Sequence, residues 1–182
     1  MIVIEGPDGS GKTTLAQQLA AEFPISYERA PHLSSQTGPS GVELVDWWEK
    51  QLKLKKKDKI YDRTFYISEP IYQLAQPDRK LLVDSKRFYT GWFKFVNRID
   101  LLIFCQPSWP VARQVLEDEG RLSLEGVNLN QLEKIHWLYD VISCHYMEIL
   151  FERVTLYDYT NMTLDHIREA VSEIVGPAVA AQ

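Results

Sequence analysis

The sequence predicts an α/β fold: a parallel β-sheet of about five strands with helices on both faces. Three observations predict it. Met1-Ile2-Val3-Ile4 is a continuous apolar run, the pattern of a strand buried on both faces. A glycine-rich turn and a helical pattern follow it directly. Strand-like and helix-like segments then alternate to the end of the chain, which requires crossover connections and so parallel strands.

The elements follow in order. Strand one spans 2–6. A helix of about 13–22 has Leu15 and Leu19 four apart, with Ala16 and Ala20 on the adjoining row. A short strand near 25–29 ends at Arg29, and the Pro/Gly/Ser-rich stretch 31–41 reads as a loop. Residues 42–54 are helical, with Leu44, Val45, Trp48 and Leu52 on one side; Trp47 and Trp48 read as core and groove lining. Lys59-Ile60-Tyr61 is a strand ending at Asp62-Arg63. Helices are expected at about 67–75 and 82–97, the second carrying Phe88, Trp92, Phe95 and Val96. Residues 100–106 form an apolar strand in which Cys105 reads as a small buried hydrophobe. A helix from Pro110 to Glu119 leads into a glycine-flanked polar segment, 120–127. Asn130-Gln131-Leu132-Glu133 resembles a capping box opening a long helix to about 150. Val154 to Asp158 is the last strand, Thr163 caps a final helix to about 175, and 176–182 reads as a frayed tail.

Composition narrows the class. A chain of 182 residues fits one domain, 1–182, large enough to bury roughly 70% of its unfolded surface. Its 45% hydrophobic and 25% charged content is that of a globular protein. The absence of an 18-residue apolar run predicts no membrane span, and a strand leading straight into the glycine-rich turn predicts no signal peptide. Two isolated cysteines, Cys105 and Cys144, make neither a disulfide framework nor a zinc site. A reduced, cytoplasmic protein is expected. The net charge of −5 argues against nucleic acid as the main partner. The basic run Lys53 to Lys59 reads as the solvated end of a helix, with a polynucleotide contact as the alternative.

The chemistry begins at Gly6-Pro7-Asp8-Gly9-Ser10-Gly11-Lys12-Thr13, a complete G-x-x-x-x-G-K-T phosphate-binding loop between a strand and a helix. Glycines at 6, 9 and 11 let backbone N–H groups converge on an anion, and the helix adds the positive end of its dipole. Lys12 would reach the β- and γ-phosphates, Gly9, Ser10, Gly11 and Thr14 would line the cradle, and Thr13 would hold Mg²⁺. The expected fold is therefore that of a P-loop NTPase, and the expected cofactors are ATP and Mg²⁺. Ligands in such sheets sit at the carboxyl ends of the strands. Three further polar groups fall there: Arg29, Asp62-Arg63 and Gln106. Asp62 is placed to hold Mg²⁺ or to accept a proton, and Arg63 offers a fork for a phosphate; a structural ion pair is the alternative. Residues 119–127 read as a lid that brings Arg121 over the phosphates, with Arg113 a weaker candidate and a solvated loop arginine the alternative.

With these residues in place, the chain resembles the thymidylate kinases. Ile2-Val3-Ile4-Glu5-Gly6-Pro7-Asp8-Gly9-Ser10-Gly11-Lys12 resembles their opening, an apolar strand followed by Glu-Gly-x-Asp-Gly-Ser-Gly-Lys. Asp62-Arg63-Thr64-Phe65 resembles their Asp-Arg-aromatic motif with the aromatic displaced by one, and Ser68 to Gln73 their Ser-x-x-Ala-Tyr-Gln segment. Tyr27-Glu28-Arg29-Ala30-Pro31 echoes their Arg-Glu-Pro turn, and Asp100 to Phe104 the strand before their lid. The resemblance implies that Asp8 binds the sugar 3′-hydroxyl, that Arg63 and Arg29 bind the acceptor phosphate, and that Tyr72 or nearby aromatics meet the base. It also implies a lid arginine, here Arg121, as the catalytic cation, and a homodimer. The helices at 42–54 and 82–97 would supply the pairing faces, or else are buried within one chain. The lid departs from the family's Asp-Arg-x-Glu run, a drift similar to that of bacteriophage-encoded nucleotide and nucleoside kinases. It admits a modified or unusual deoxynucleotide, or a nucleoside, as acceptor.

The expected activity is Mg²⁺-dependent transfer of the ATP γ-phosphoryl to a deoxynucleoside monophosphate, a pyrimidine one such as dTMP or a modified relative. Lys12, Asp62, Arg63 and Arg121 would act at the reacting groups. The competing readings are a deoxynucleoside kinase with Asp62 as general base, a kinase acting on a modified base in DNA, and a catalytically silent nucleotide-binding regulator.

Overall fold

The sheet is assembled around β1, whose four residues are all buried (Ile2–Glu5). The computed structural model describes residues 1–31, 41–54, 58–76, 84–123, 128–145 and 153–178. Within them the order is β1, α1 (Lys12–Glu22), β2 (Ser26–Arg29), α2 (Gly41–Lys53), β3 (Lys59–Asp62), α3 (Phe65–Ala75), α4 (Ser85–Val96), β4 (Leu101–Cys105), α5 (Trp109–Asp118), a 3₁₀ turn (Arg121–Ser123), α6 (Leu129–His145), β5 (Val154–Tyr157) and α7 (Asp165–Val175). The five strands lie in the order β2-β3-β1-β4-β5 and every pair is parallel. From β1 the chain passes to the edge strand β2, returns inward to β3, and then crosses β1 to β4 and outward to β5. Such a reversal leaves a crevice at the carboxyl end of the central strand.

Side-chain alternation along the strands fills two cores. Val3, Tyr61, Leu102 and Phe104 face one way and pack with Leu44, Trp48, Ile71, Phe95 and Tyr139 from α2, α3, α4 and α6. Ile2, Ile4, Ile60, Ile103 and Cys105 face the other way, against Leu15 and Leu19 of α1 and Ile167 and Val171 of α7. Cys105 is fully buried, and that burial pushes its thiol up to about 12.

Three expected boundaries move. The third helix starts at Phe65 rather than near 67, because the Thr64 hydroxyl accepts from the Tyr66 N–H at 3.2 Å and caps it. The long helix is capped by Asn128, whose Oδ1 accepts from Gln131 N–H at 3.2 Å, and not by Asn130. Thr163 does not cap the last helix: Leu164 stands at the N-cap position with no side-chain hydrogen bond, and it is buried in the core. Packing, not a hydroxyl, sets that end. Residues 32–40, 55–57, 77–83, 124–127, 146–152 and 179–182 lie outside the described residues. With them lie the middle of the basic run, the second part of the expected lid, the end of the long helix and the last residues of the expected tail. No helix among the described residues is long and apolar enough to cross a membrane.

Candidate functional site

The loop between β1 and α1 is held from both sides. Gly9 has φ +77°, and a Cβ there would run into the Ala112 carbonyl of α5. Gly11 has φ +76° and would meet the Tyr159 ring at 3.3 Å. Only glycine fits such positions without strain. No side chain caps α1, so its first-turn N–H groups open toward the loop, the arrangement that binds anions. Lys12 folds back into the loop, donating to the Pro7 carbonyl and to Ser10 Oγ (3.1 Å). Burial, and then the Arg63 charge, pull its ammonium down to about 8. Thr13 Oγ1 donates to Asp62 Oδ2 at 2.6 Å, and Tyr27 OH donates to the same oxygen at 3.3 Å. Register explains why these residues meet. Ile4 pairs with Asp62 in the parallel ladder, so the end of β3 lies beside the start of the loop.

A second cluster adjoins the first. Arg63 has φ +72°, the one positive value at a non-glycine among the described residues. Its N–H donates to the Ile4 carbonyl at 2.9 Å. The turn aims its guanidinium across the loop, where it pairs with Asp8 and donates to Tyr72 OH at 2.9 Å. Tyr72 in turn donates to Asp8 Oδ2 at 3.3 Å. Arg121, 44% exposed, comes within 3.5 Å of both Asp8 and Glu119. Burial pushes the Asp8 carboxyl up, but Arg63, Lys12 and Arg121 overcome it and hold Asp8 well below the usual carboxylate range.

Beneath both clusters lies Glu5, with no exposure at all. Its Oε1 accepts from the Thr64 N–H and from Ser68 Oγ (3.2 Å), and its Oε2 accepts from Tyr139 OH (3.0 Å) and the Gly6 N–H (3.3 Å). Burial raises its pKa against the pull of Arg63, the Thr64 N–H, Lys12 and Tyr139. One carboxylate thus ties β1 to the turn after β3, to α3 and to α6.

The two clusters open into one cavity of about 880 Å³, lined by the loop, by Arg29, Asp62, Arg63, Tyr72 and Arg121, and by Tyr157 at the end of β5 and Tyr159 beyond it. This is ample for two small ligands lying end to end. Asp8, Gly9, Ser10, Gly11, Lys12, Thr13 and Thr14 all line it. Two expected groups stay outside its lining. Arg113 pairs with Glu117 at 2.8 Å along the exposed face of α5, because four-residue spacing on a helix brings the two side by side. Gln106 turns away, its N–H donating to the Tyr157 carbonyl at 2.9 Å and its amide to the His136 carbonyl at 3.4 Å. The sequence reading missed Glu5, Tyr139, Tyr159 and Glu69. A carboxylate inside an apolar strand was the visible signal for Glu5; nothing local marked the tyrosines.

No protein-family model matches the chain. A cytidylate kinase from Sulfurisphaera tokodaii is 30% identical over 112 residues, covering 59% of this chain and 56% of the relative. The chain therefore spans little more than half the length of the curated relative it matches. Among solved structures, the YorR protein of Bacillus subtilis in complex with phosphorylated GDP has a TM-score of 0.66 at 17% identity, covering 96% of this chain and 92% of that one. A deoxyadenosine kinase from M. mycoides with bound dATP has a TM-score of 0.64 at 18% identity, over 94% and 97% of the two chains. The chain is thus similar in sequence to a nucleotide kinase and has the α/β P-loop NTPase fold in which nucleoside kinases are built.

Proposed function

We propose that this chain transfers the γ-phosphoryl of ATP to a deoxynucleoside monophosphate, with a pyrimidine as its base. The observation that carries this reading is the meeting of two complementary clusters in one cavity. Lys12, Thr13 and Asp62 form a donor-phosphate end, and Arg63, Asp8, Tyr72 and Arg121 form an acceptor end. Similarity to a cytidylate kinase supports the same class; the fold likeness to a deoxyadenosine kinase supports a nucleoside or nucleotide kinase without choosing between them. The residues fit Mg²⁺. A threonine hydroxyl and a carboxylate 2.6 Å apart are hard oxygen donors, and Mg²⁺ takes only one or two protein ligands beside phosphates and water. When bound, that ion neutralises charge on the transferring phosphoryl.

The protein's own share is placement and electrostatics. The loop N–H groups and Lys12 grip the phosphates of ATP. Arg63 and Arg121 trade their contacts with Asp8 for the acceptor phosphate and the transferring group, and Asp8 is freed to accept from the sugar hydroxyl. Tyr72 lies against the acceptor. A second reading, a deoxynucleoside kinase, is favoured by the engagement of Arg63 with Asp8 and Tyr72. In that case Asp62 takes the proton of the 5′-hydroxyl. The two readings part in a single comparison of kcat/KM for a nucleoside and its monophosphate. Preference for the monophosphate, lost in Arg63→Ala, supports the first; preference for the nucleoside supports the second.

We also propose a homodimer. Tyr89 and Phe93 of α4 are 59% and 62% exposed, and with Trp92 and Val96 they make a stripe at helical spacing that one protomer offers to another.

A further inference from the structure

The Asp62 carboxylate has one partner from α1 and one from the edge strand β2. Thr13 donates to its Oδ2 at 2.6 Å, and Tyr27 donates to the same oxygen at 3.3 Å. Register explains the second contact. Tyr27 pairs with Ile60, and Arg29 with Asp62, in the parallel β2–β3 ladder. Side chains alternate along a strand, so Asp62 stands on the same face as Ile60 and Tyr27, the face that packs with Leu15 and Leu19 of α1. Asp62 therefore lies two residues, roughly 6.6 Å, beyond the tyrosine's own pairing position. The half-buried ring packs into that core, and its hydroxyl runs forward to the carboxylate. Thr13 and Asp62 line the cavity, whereas Tyr27 stays outside its lining. Whatever it does for the site, it does through Asp62.

We propose that Tyr27 is a positioning residue for Mg²⁺: it fixes the carboxylate that, together with Thr13, receives the ion. This rests on the reading that the cavity takes ATP with Mg²⁺. The reason lies in the count of protons and lone pairs. The Thr13 hydroxyl has one proton and two lone pairs. While its proton is held by Asp62, a lone pair faces away and is open to the ion. The last torsion of an aspartate is broad, so a single hydrogen bond leaves its carboxylate free to swing. Among the described residues, both donors to this side chain land on one oxygen, Oδ2. Two donors there fix the carboxylate plane and leave the other oxygen for the ion or for a water on it. A phenol keeps its proton at neutral pH and brings no charge. Tyr27 thus orients the carboxylate and leaves its negative charge for the cation, where a lysine would cancel part of it. Partners of this kind orient metal ligands generally.

The test is calorimetric. ATP is titrated with Mg²⁺ present, and separately with the metal removed by EDTA, into the wild type, Tyr27→Phe, Asp62→Asn and the double variant. The readout is the ratio of the two affinities. It is taken within one protein, so any loss of folded fraction cancels. The wild type should bind ATP more tightly with the ion. Tyr27→Phe should lower that ratio by about tenfold or abolish it, the smaller of the losses that follow removal of a ligand's own hydrogen-bond partner. Its affinity for metal-free ATP, set by the loop N–H groups and Lys12, should be unchanged. In the Asp62→Asn background the same substitution should leave the ratio unmoved, because its effect passes through the carboxylate. A ratio unmoved by Tyr27→Phe alone, or moved equally in both backgrounds, overturns the role of Tyr27 and leaves the Mg²⁺ reading standing. A wild type that binds ATP equally with and without the ion overturns both. A wild type that binds no ATP overturns the kinase reading as well.

Discussion

Lys12 is a buried ammonium whose acidity and function are tied together. Burial and the nearby Arg63 charge pull it down to about 8 from an ordinary value of 10.5. Between those values the unfolded chain holds a proton that the folded chain has lost, so this group makes the fold more stable as pH rises through that window. The same deprotonation removes the charge that phosphate needs. Affinity for ATP should therefore fall as pH climbs through about 8, while the unfolding temperature does not fall on account of Lys12. Calorimetric titrations and thermal melts at pH 7 and 9 check both halves. Lys12→Ala should lower kcat by roughly 10²–10³-fold, the cost of one preorganised charge donor, and leave a cooperative melt; near-normal turnover or an unfolded variant would contradict it. The loop was legible because its residues are contiguous and their spacing carries the geometry. The network around Glu5 was not, since its partners Thr64, Ser68 and Tyr139 lie 59, 63 and 134 positions along the chain.

The turn from β3 into α3 is the element that joins the two ends of the cavity. Its backbone is held by the Arg63 N–H on Ile4 and the Thr64 N–H on Glu5, and the left-handed Arg63 costs about 1 kcal/mol or more relative to an ordinary conformation. Two substitutions separate strain from chemistry. Arg63→Ala and Arg63→Gly both delete the guanidinium and should weaken acceptor binding alike. Arg63→Gly should melt higher, by about 1 kcal/mol in unfolding free energy, because glycine takes positive φ freely. Equal stabilities in denaturant titrations would mean that the turn is unstrained. Helix existence was readable here and helix ends were not. Hydrophobic spacing marked α3 and α6, but Thr64 and Asn128 became caps only through the path of the chain before them, and Leu164 starts α7 because it packs in the core.

At the scale of the molecule, the alternation of strands and helices was enough to give a parallel α/β sheet, because few connections close such a sheet. The strand order β2-β3-β1-β4-β5 was beyond its reach: β1 and β4 are both fully buried apolar runs, and pattern alone does not say which of the mixed strands lies beside which. The exposed α4 stripe leads to a test of assembly. Sedimentation velocity should give a dimer, and Phe93→Glu should shift it to monomer by burying a charge in an apolar contact; a wild-type monomer at the same concentration would rule the interface out. The central claim concerns where a phosphoryl group goes. The most direct measurement follows label from the γ-position of ATP in the presence of Mg²⁺ and a mixture of deoxynucleosides and their monophosphates. The account predicts label on a nucleoside-derived acceptor, with ADP formed in equal amount and transfer slowed roughly 10²–10³-fold in Lys12→Ala. Label released only as inorganic phosphate, or ADP formation indifferent to the acceptors, would contradict it.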